Sequence, residues 1–228
     1  MGALLLPHQP PLCSADLPTV GGRPGAEPED FVVDEIPLYP ASGKGEHWFV
    51  RVRKRLRTTP DMIEAVARAA GVSARDVGYA GMKDKQAVTT QWISVPAGCH
   101  RVEAWALPLG IEVLETARHD NKLRTGHLLA NHFRIRLVGV QDEPLPRARA
   151  ILHRLTERGL PNYFGAQRFG RDGSNLSLAV EWLLNGGQNK RGKRGRFYAK
   201  LYPSVIQAEV FNRYLSARLE RGGDRLLE

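Results

Sequence analysis

Apolar and polar positions alternate in two stretches of the chain. In His47-Trp48-Phe49-Val50-Arg51-Val52-Arg53, Trp48, Val50 and Val52 share one face while Arg51 and Arg53 share the other, the two-residue period of a half-buried strand. Phe133-Arg134-Ile135-Arg136-Leu137 repeats the device, apolar inward and basic outward. Phe31 to Ile36 predicts a further short strand, separated from the first by a turn at Gly43 and Gly45. Val77-Gly78-Tyr79-Ala80 and the β-branched run from Val88 to Val95 predict two more. Gly81 breaks the first of these, so Gly81-Met82-Lys83-Asp84-Lys85 must be the loop that joins them.

Elsewhere the spacing is helical. Thr58 stands as an N-cap with Asp61 three residues on, Pro60 suits the first turn and Gly71 the C-cap. Met62, Val66 and Ala69 make one stripe of this helix, which reads as a packing element only. A second helix is expected from Leu145 to Arg158, ending at Gly159, and a last one from about Val205 to Leu219, with Ala208, Phe211 and Leu215 on one stripe. Residues 1–28, rich in Pro and Gly, read as irregular, and the basic, glycine-containing stretch from Gln188 to Lys200 reads as a loop. There is no internal repeat. Strands and helices mix without a βαβ rhythm, which predicts an α+β (mixed α/β) fold rather than a doubly wound sheet.

Composition narrows the partners. The 228 residues suffice for one large domain, or one domain and part of another, and 42% are hydrophobic, which excludes wholesale disorder. Lys and Arg outnumber Asp and Glu by 33 to 24, a formal charge of +9. Such an excess favours a polyanion, because each phosphate neutralised releases counterions. It does not separate RNA from DNA, from anionic lipid, or from a merely basic soluble protein. Only Cys13 and Cys99 are present, without ligand spacing, and His119 and His127 sit near no acidic or thiol cluster. Neither a metal site nor a disulfide framework is expected, and a reducing cytosol fits. The leucines at 4–6 lack a basic flank and are cut short by Pro7, so no signal peptide is read there, and no apolar run is long enough to span a membrane.

Four segments carry candidate chemistry. Asp84 lies between Lys83 and Lys85; nearby cations hold a carboxylate ionised, as a nucleophile or base requires, although Asp, Lys and Gly are equally ordinary in a solvated turn. Asn131, His132 and Phe133 open a strand with Arg134 and Arg136 on its outer face, and Arg118, Lys122 and Arg124 lie upstream. A single-stranded base can stack on such a ring while arginines hold its phosphates; alternatively Phe133 begins a core stripe with Ile135 and Leu137. Asn162 to Gly170, which includes Arg168, is either a shaped loop with close backbone approach or a structural corner. The run from Lys190 to Lys200 is either an RNA-facing or a solvated loop.

These residues resemble a known family. Gly78-Tyr79-Ala80-Gly81-Met82-Lys83-Asp84-Lys85-Gln86-Ala87-Val88-Thr89-Thr90-Gln91 is similar to the signature of the D family of tRNA pseudouridine synthases (TruD), and Pro161 through Gly170 to its second hallmark. Pro28-Glu29-Asp30-Phe31, Gly45-Glu46-His47 and Asn131-His132-Phe133 are similar to further blocks in the same order. The resemblance runs from about Arg23 to about Leu219. It implies isomerisation of uridine 13 in the D-arm of tRNA, with Asp84 catalytic, Phe31, Lys83, Asn131 and Phe133 binding substrate, and no cofactor or metal. Arg134, Arg136 and Arg168 are candidates for gripping RNA backbone. The partner implied is tRNA, met by a monomer in the cytoplasm.

The fold implied is a largely antiparallel catalytic sheet interrupted by an inserted domain. Residues 1–157 then form the N-terminal part of the catalytic domain and 158–228 the start of the insertion, with Glu228 falling inside it. A chain ending there leaves a sheet edge and some core bare. A family lysine three residues before Pro28 is replaced by Gly25, with Arg23 near enough to substitute. Rival readings are an RNA-binding remnant without activity, a pseudouridine synthase acting on another RNA site, and a basic ribosome- or DNA-associated structural protein.

Overall fold

The computed structural model describes residues 6–170, 172–187 and 193–222. The chain divides into two compact units, one formed by Gly21–Val140 and the other by Met1–Val20 with Gln141–Glu228. The first contains β1 (Gly21–Pro24), β2 (Phe31–Pro37), β3 (His47–Arg55), α1 (Thr59–Ala70), β4 (Gly78–Tyr79), β5 (Val88–Pro96), β6 (Ile111–His119), β7 (Leu128–Ile135) and β8 (Leu137–Val140). Its main sheet has the order β6-β3-β5-β2-β7, with β4 added beside β5. β2 and β5 run parallel, and the other pairs are antiparallel. The α+β expectation holds.

The alternation on β3 decides what the sheet buries. Val50 and Val52 are 0% exposed and pack with Met62, Val66 and Ala70 of α1 and with Ile93 and Val95 of β5. Helix α1 is closed as its sequence specifies. Thr58 accepts from the Asp61 amide, Asp61 reciprocates to the Thr58 amide, and Gly71 takes the left-handed conformation at φ 70°. The second predicted alternation behaves differently. β7 is an edge strand, as β6 is at the other side, and Phe133 and Ile135 remain 51% and 43% exposed. The expectation of apolar residues turned into a core fails there, because the cluster under α1 draws on β3, β5 and β6 and includes nothing from β7. The strand also breaks at Arg136, so Leu137 belongs to β8, which pairs with β1 in a separate two-stranded ribbon. Part of the segment read as irregular is therefore a strand: main-chain pairing forms β1 without an apolar pattern to announce it.

The second unit contains α2 (Pro144–Arg158), α3 (Ser174–Leu184) and α4 (Lys193–Gly222). Phe169, Leu176, Ala179, Val205 and Ala208 form its buried cluster. Helix α2 matches the expected span but buries no residue, and α4 begins well before the expected Val205. The basic stretch from Lys193 to Lys200 is thus helical rather than a loop, since Lys and Arg are good helix formers once the helix is propagating; its remainder, 188–192, lies outside the described residues. Among the described residues no helix is long and apolar enough to cross a membrane.

Candidate active site

The loop between β4 and β5 has no regular structure of its own, yet its backbone is fixed at several points. The Gly126 amide donates to the Ala80 carbonyl at 2.8 Å. Gln91 Nε2 donates to the Gly81 carbonyl at 3.2 Å. Thr59 Oγ1, in the first turn of α1, accepts from the Lys83 amide at 2.9 Å and donates to Gln91 Oε1 at 3.1 Å. Helix α1 is therefore more than the packing element its stripe suggested. From below, Lys54 Nζ donates to the carbonyls of Asp84 at 2.6 Å, Arg57 at 2.7 Å and Lys83 at 3.3 Å. Asp84 itself, fixed through its main chain, is exposed.

Lysine 83 turns away from solvent. Its ammonium sits 2.6 Å from Glu35 Oε2, with the two side chains 5% and 1% exposed. Glu35 Oε1 accepts from the Trp92 amide at 3.1 Å, so the carboxylate uses both oxygens. A buried pair of this kind survives because each charge has a partner and further hydrogen bonds. It also ties the loop to β2, one residue from Asp84.

Register places the aromatic candidates. Lys54 lies opposite Thr89, Thr89 opposite Val33 and Val33 opposite Phe133, a row across β3, β5, β2 and β7 on one face of the sheet. One step along, Glu35 lies opposite Asn131, and Phe31 lies opposite Ile135. Phe31 and Phe133 meet edge-to-face with centroids 6.1 Å apart and planes at 74°. Asn131 Oδ1 and Thr89 Oγ1, both on this face, are buried without a hydrogen-bond partner among the described residues. The face thus offers aromatic rings, an amide oxygen unpartnered among the described residues, and a loop, held at several backbone points, that carries Asp84.

The arginine candidates go elsewhere. Arg134 lies opposite Val32, on the reverse face from Phe133, beside a groove lined also by Asp34, Arg53, Arg55 and Glu29. Charges on that reverse face are largely matched: Arg53 pairs with Glu112 at 3.3 Å and Arg55 with Glu29 at 2.6 Å. Arg136 approaches Asp30 at 3.5 Å. Arg168 belongs to the other unit, over the Phe164 ring at 5.4 Å and near Ser204 Oγ at 3.4 Å. Position 25 has no room for the lysine the resemblance expects, since a Cβ there would fall 2.0 Å from Asp30 Oδ2. Arg23 is exposed on β1, opposite Val138.

Sequence reading alone misses Glu35, Lys54, Thr59 and Gln91. A signal for two of them is present. Lys54 continues the apolar row Trp48, Val50, Val52, and Glu35 continues Phe31, Val33, so each puts a charge at a position whose period demands burial. Burial lowers the Lys54 ammonium to about 8, with the charge of Asp84 pushing it back up and that of Lys83 lowering it further.

Comparison with known proteins places this arrangement. Residues 11–190 match the family model of tRNA pseudouridine synthase D (TruD). A tRNA pseudouridine synthase D of Anaeromyxobacter sp. (strain Fw109-5) is 48% identical over 214 residues, covering 93% of this chain and 60% of the relative. A tRNA pseudouridine synthase D of Thermus thermophilus is 36% identical over 223 residues, covering 97% and 61%. A crystal structure bearing the TruD name, from Methanosarcina mazei, shares the fold with a TM-score of 0.63 at 24% identity, covering 92% of this chain and 52% of that one. The main sheet and the loop that carries Asp84 both lie within the matched residues. The chain belongs to the tRNA pseudouridine synthase D (TruD) family. It spans about three-fifths of the length of these curated relatives.

Proposed function

We propose that this chain takes part in isomerising uridine 13 in the D-arm of tRNA to pseudouridine, with Asp84 as the nucleophile. The observation that carries this reading is the contrast at Asp84: its carbonyl is gripped by Lys54 at 2.6 Å while the residue stays open to solvent. A nucleophile needs that combination, a fixed origin and a free carboxylate. The reaction breaks the bond between C1′ and N1, rotates the uracil and joins C1′ to C5, while the proton on C5 is lost and N1 gains one. A carboxylate serves it by adding to the uracil ring or by attacking C1′. The base must leave its stack first, at a cost of a few kcal/mol that ring stacking offsets; Phe133, 51% exposed beside Phe31, provides the ring. Asn131 offers an amide to the uracil edge. Residues 1–157 serve as the N-terminal part of the catalytic domain and 158–228 as the start of the inserted domain. The enzyme acts as a monomer in the cytoplasm, without a cofactor.

The test is site mapping. The chain is incubated with an unmodified tRNA transcript and with the same transcript carrying cytidine at position 13, and pseudouridine is located by carbodiimide-dependent reverse-transcription stops. A single stop at 13, absent from the second transcript, is expected. Product elsewhere assigns a different RNA target, and bound tRNA with no product in either transcript assigns a binding role.

A further inference from the structure

Lys54 is an unusual occupant of its position. It stands on the face of β3 that buries Val50 and Val52, it is 0% exposed, and its side chain makes no ion pair among the described residues. Its polar partners are all main-chain carbonyls. One belongs to Arg57, in the link between β3 and α1, and two belong to consecutive loop residues, Lys83 and Asp84. An ammonium has three N–H donors and no acceptor, so the three carbonyls use it fully. A structural lysine near the surface would let its head reach water; this one gives up hydration to hold the main chain on either side of the loop peptide that carries Asp84.

We infer that Lys54 is a positioning residue for the reaction: its ammonium fixes the height and direction of the Asp84 backbone, and so where the Asp84 carboxylate points. The inference rests on the proposed role of Asp84. Three features support it. Apart from the Arg57 carbonyl, the hydrogen bonds of Lys54 all go to this loop. The loop is otherwise held at Ala80, Gly81 and Lys83 before Asp84 and at Ala87 after it, so among the described residues the bond from Lys54 is the one that fixes the Asp84 carbonyl itself. Thr89, which Lys54 faces across the strands, keeps its hydroxyl oxygen unpartnered among the described residues and does not share the load.

Lys54→Met keeps an unbranched side chain of similar length and removes all three donors. A displacement of about 1 Å at a reacting group lowers rate on the order of 100-fold, so kcat for pseudouridine formation is expected to fall roughly 100-fold while KM for tRNA stays within about threefold. Hydrogen exchange gives a readout independent of turnover: the peptide covering 81–87 should exchange faster in the variant while α1 keeps the wild-type rate. Lys54→Gln, with two donors on a shorter uncharged arm, should fall between wild type and Lys54→Met in both measurements and serves if Lys54→Met does not fold. Unchanged loop exchange in a folded variant, or unchanged kcat, overturns the inference. Wild-type protein that makes no pseudouridine overturns the proposed function instead, and loop exchange still decides whether Lys54 holds Asp84.

Discussion

Val52 on β3 and Phe133 on β7 stand on the same face of one sheet, in strands with the same alternation, and meet opposite fates. Val52 is 0% exposed under α1, whereas Phe133, two strands beyond β5, is half open. The period of a strand fixes which residues share a face; it does not fix whether anything covers that face. Covered, the apolar row is core. Uncovered, it leaves Phe133 half exposed, with Phe31 set edge-on to it and the Asp84 loop tied alongside through Lys83 and Glu35. Burial at one end of the sheet stabilises the fold, and the exposed end is where the proposed function sets the base.

That comparison can be broken by substitution at each end. Met62→Ala, beneath the helix, removes a fully buried side chain and should destabilise by about 2–5 kcal/mol in chemical denaturation, with turnover per folded molecule kept. Phe133→Ala should cost less than about 1 kcal/mol, as expected for a half-exposed edge residue, and should lower turnover on tRNA at least tenfold. Equal destabilisation at the two sites, or full activity in Phe133→Ala, would erase the difference between covered and bare faces.

A smaller effect sharpens the boundary between them, where Lys54 sits. Its folded-state value, about 8, is below the ordinary 10.5 of lysine. Between those values the unfolded chain binds more protons than the folded one, so stability rises with pH. The burial that holds the loop therefore costs stability at neutral pH, and the cost fades as pH rises through about 8. Wild type should gain about 1–2 kcal/mol on Lys54→Met between roughly pH 7.5 and 9.5, measured as the difference between their denaturation curves. A constant difference would mean that the ammonium does not titrate in that window.

Much of this molecule is legible in its sequence, and what is not shares a cause. Helix α1 declares itself through Thr58, Asp61 and Gly71 because caps act within a few residues. The loop around Asp84 is bounded by Gly81 and by the β-branched run from Val88. The alternation itself sets Phe133 and Arg134 on opposite faces, but the exposure of Phe133 cannot be weighed without knowing that β7 is an edge. β1 is invisible because its pairing with β8 is main-chain only. Lys54 and Glu35 read as ordinary charges, although each sits where an apolar residue is due. A charge in a buried period is the cue that finds the supports of Asp84.

The proposed function turns on whether Asp84, the open residue of this fixed loop, does the chemistry. The direct test is pseudouridine formation on unmodified tRNA by the wild-type chain and by Asp84→Asn, at matched stability and matched tRNA affinity. Product is expected from the first and a loss of at least roughly 1,000-fold in the second, since removing a covalent nucleophile eliminates the step it performs. Product at comparable rates from both would contradict the assignment and move the search for the nucleophile away from this loop.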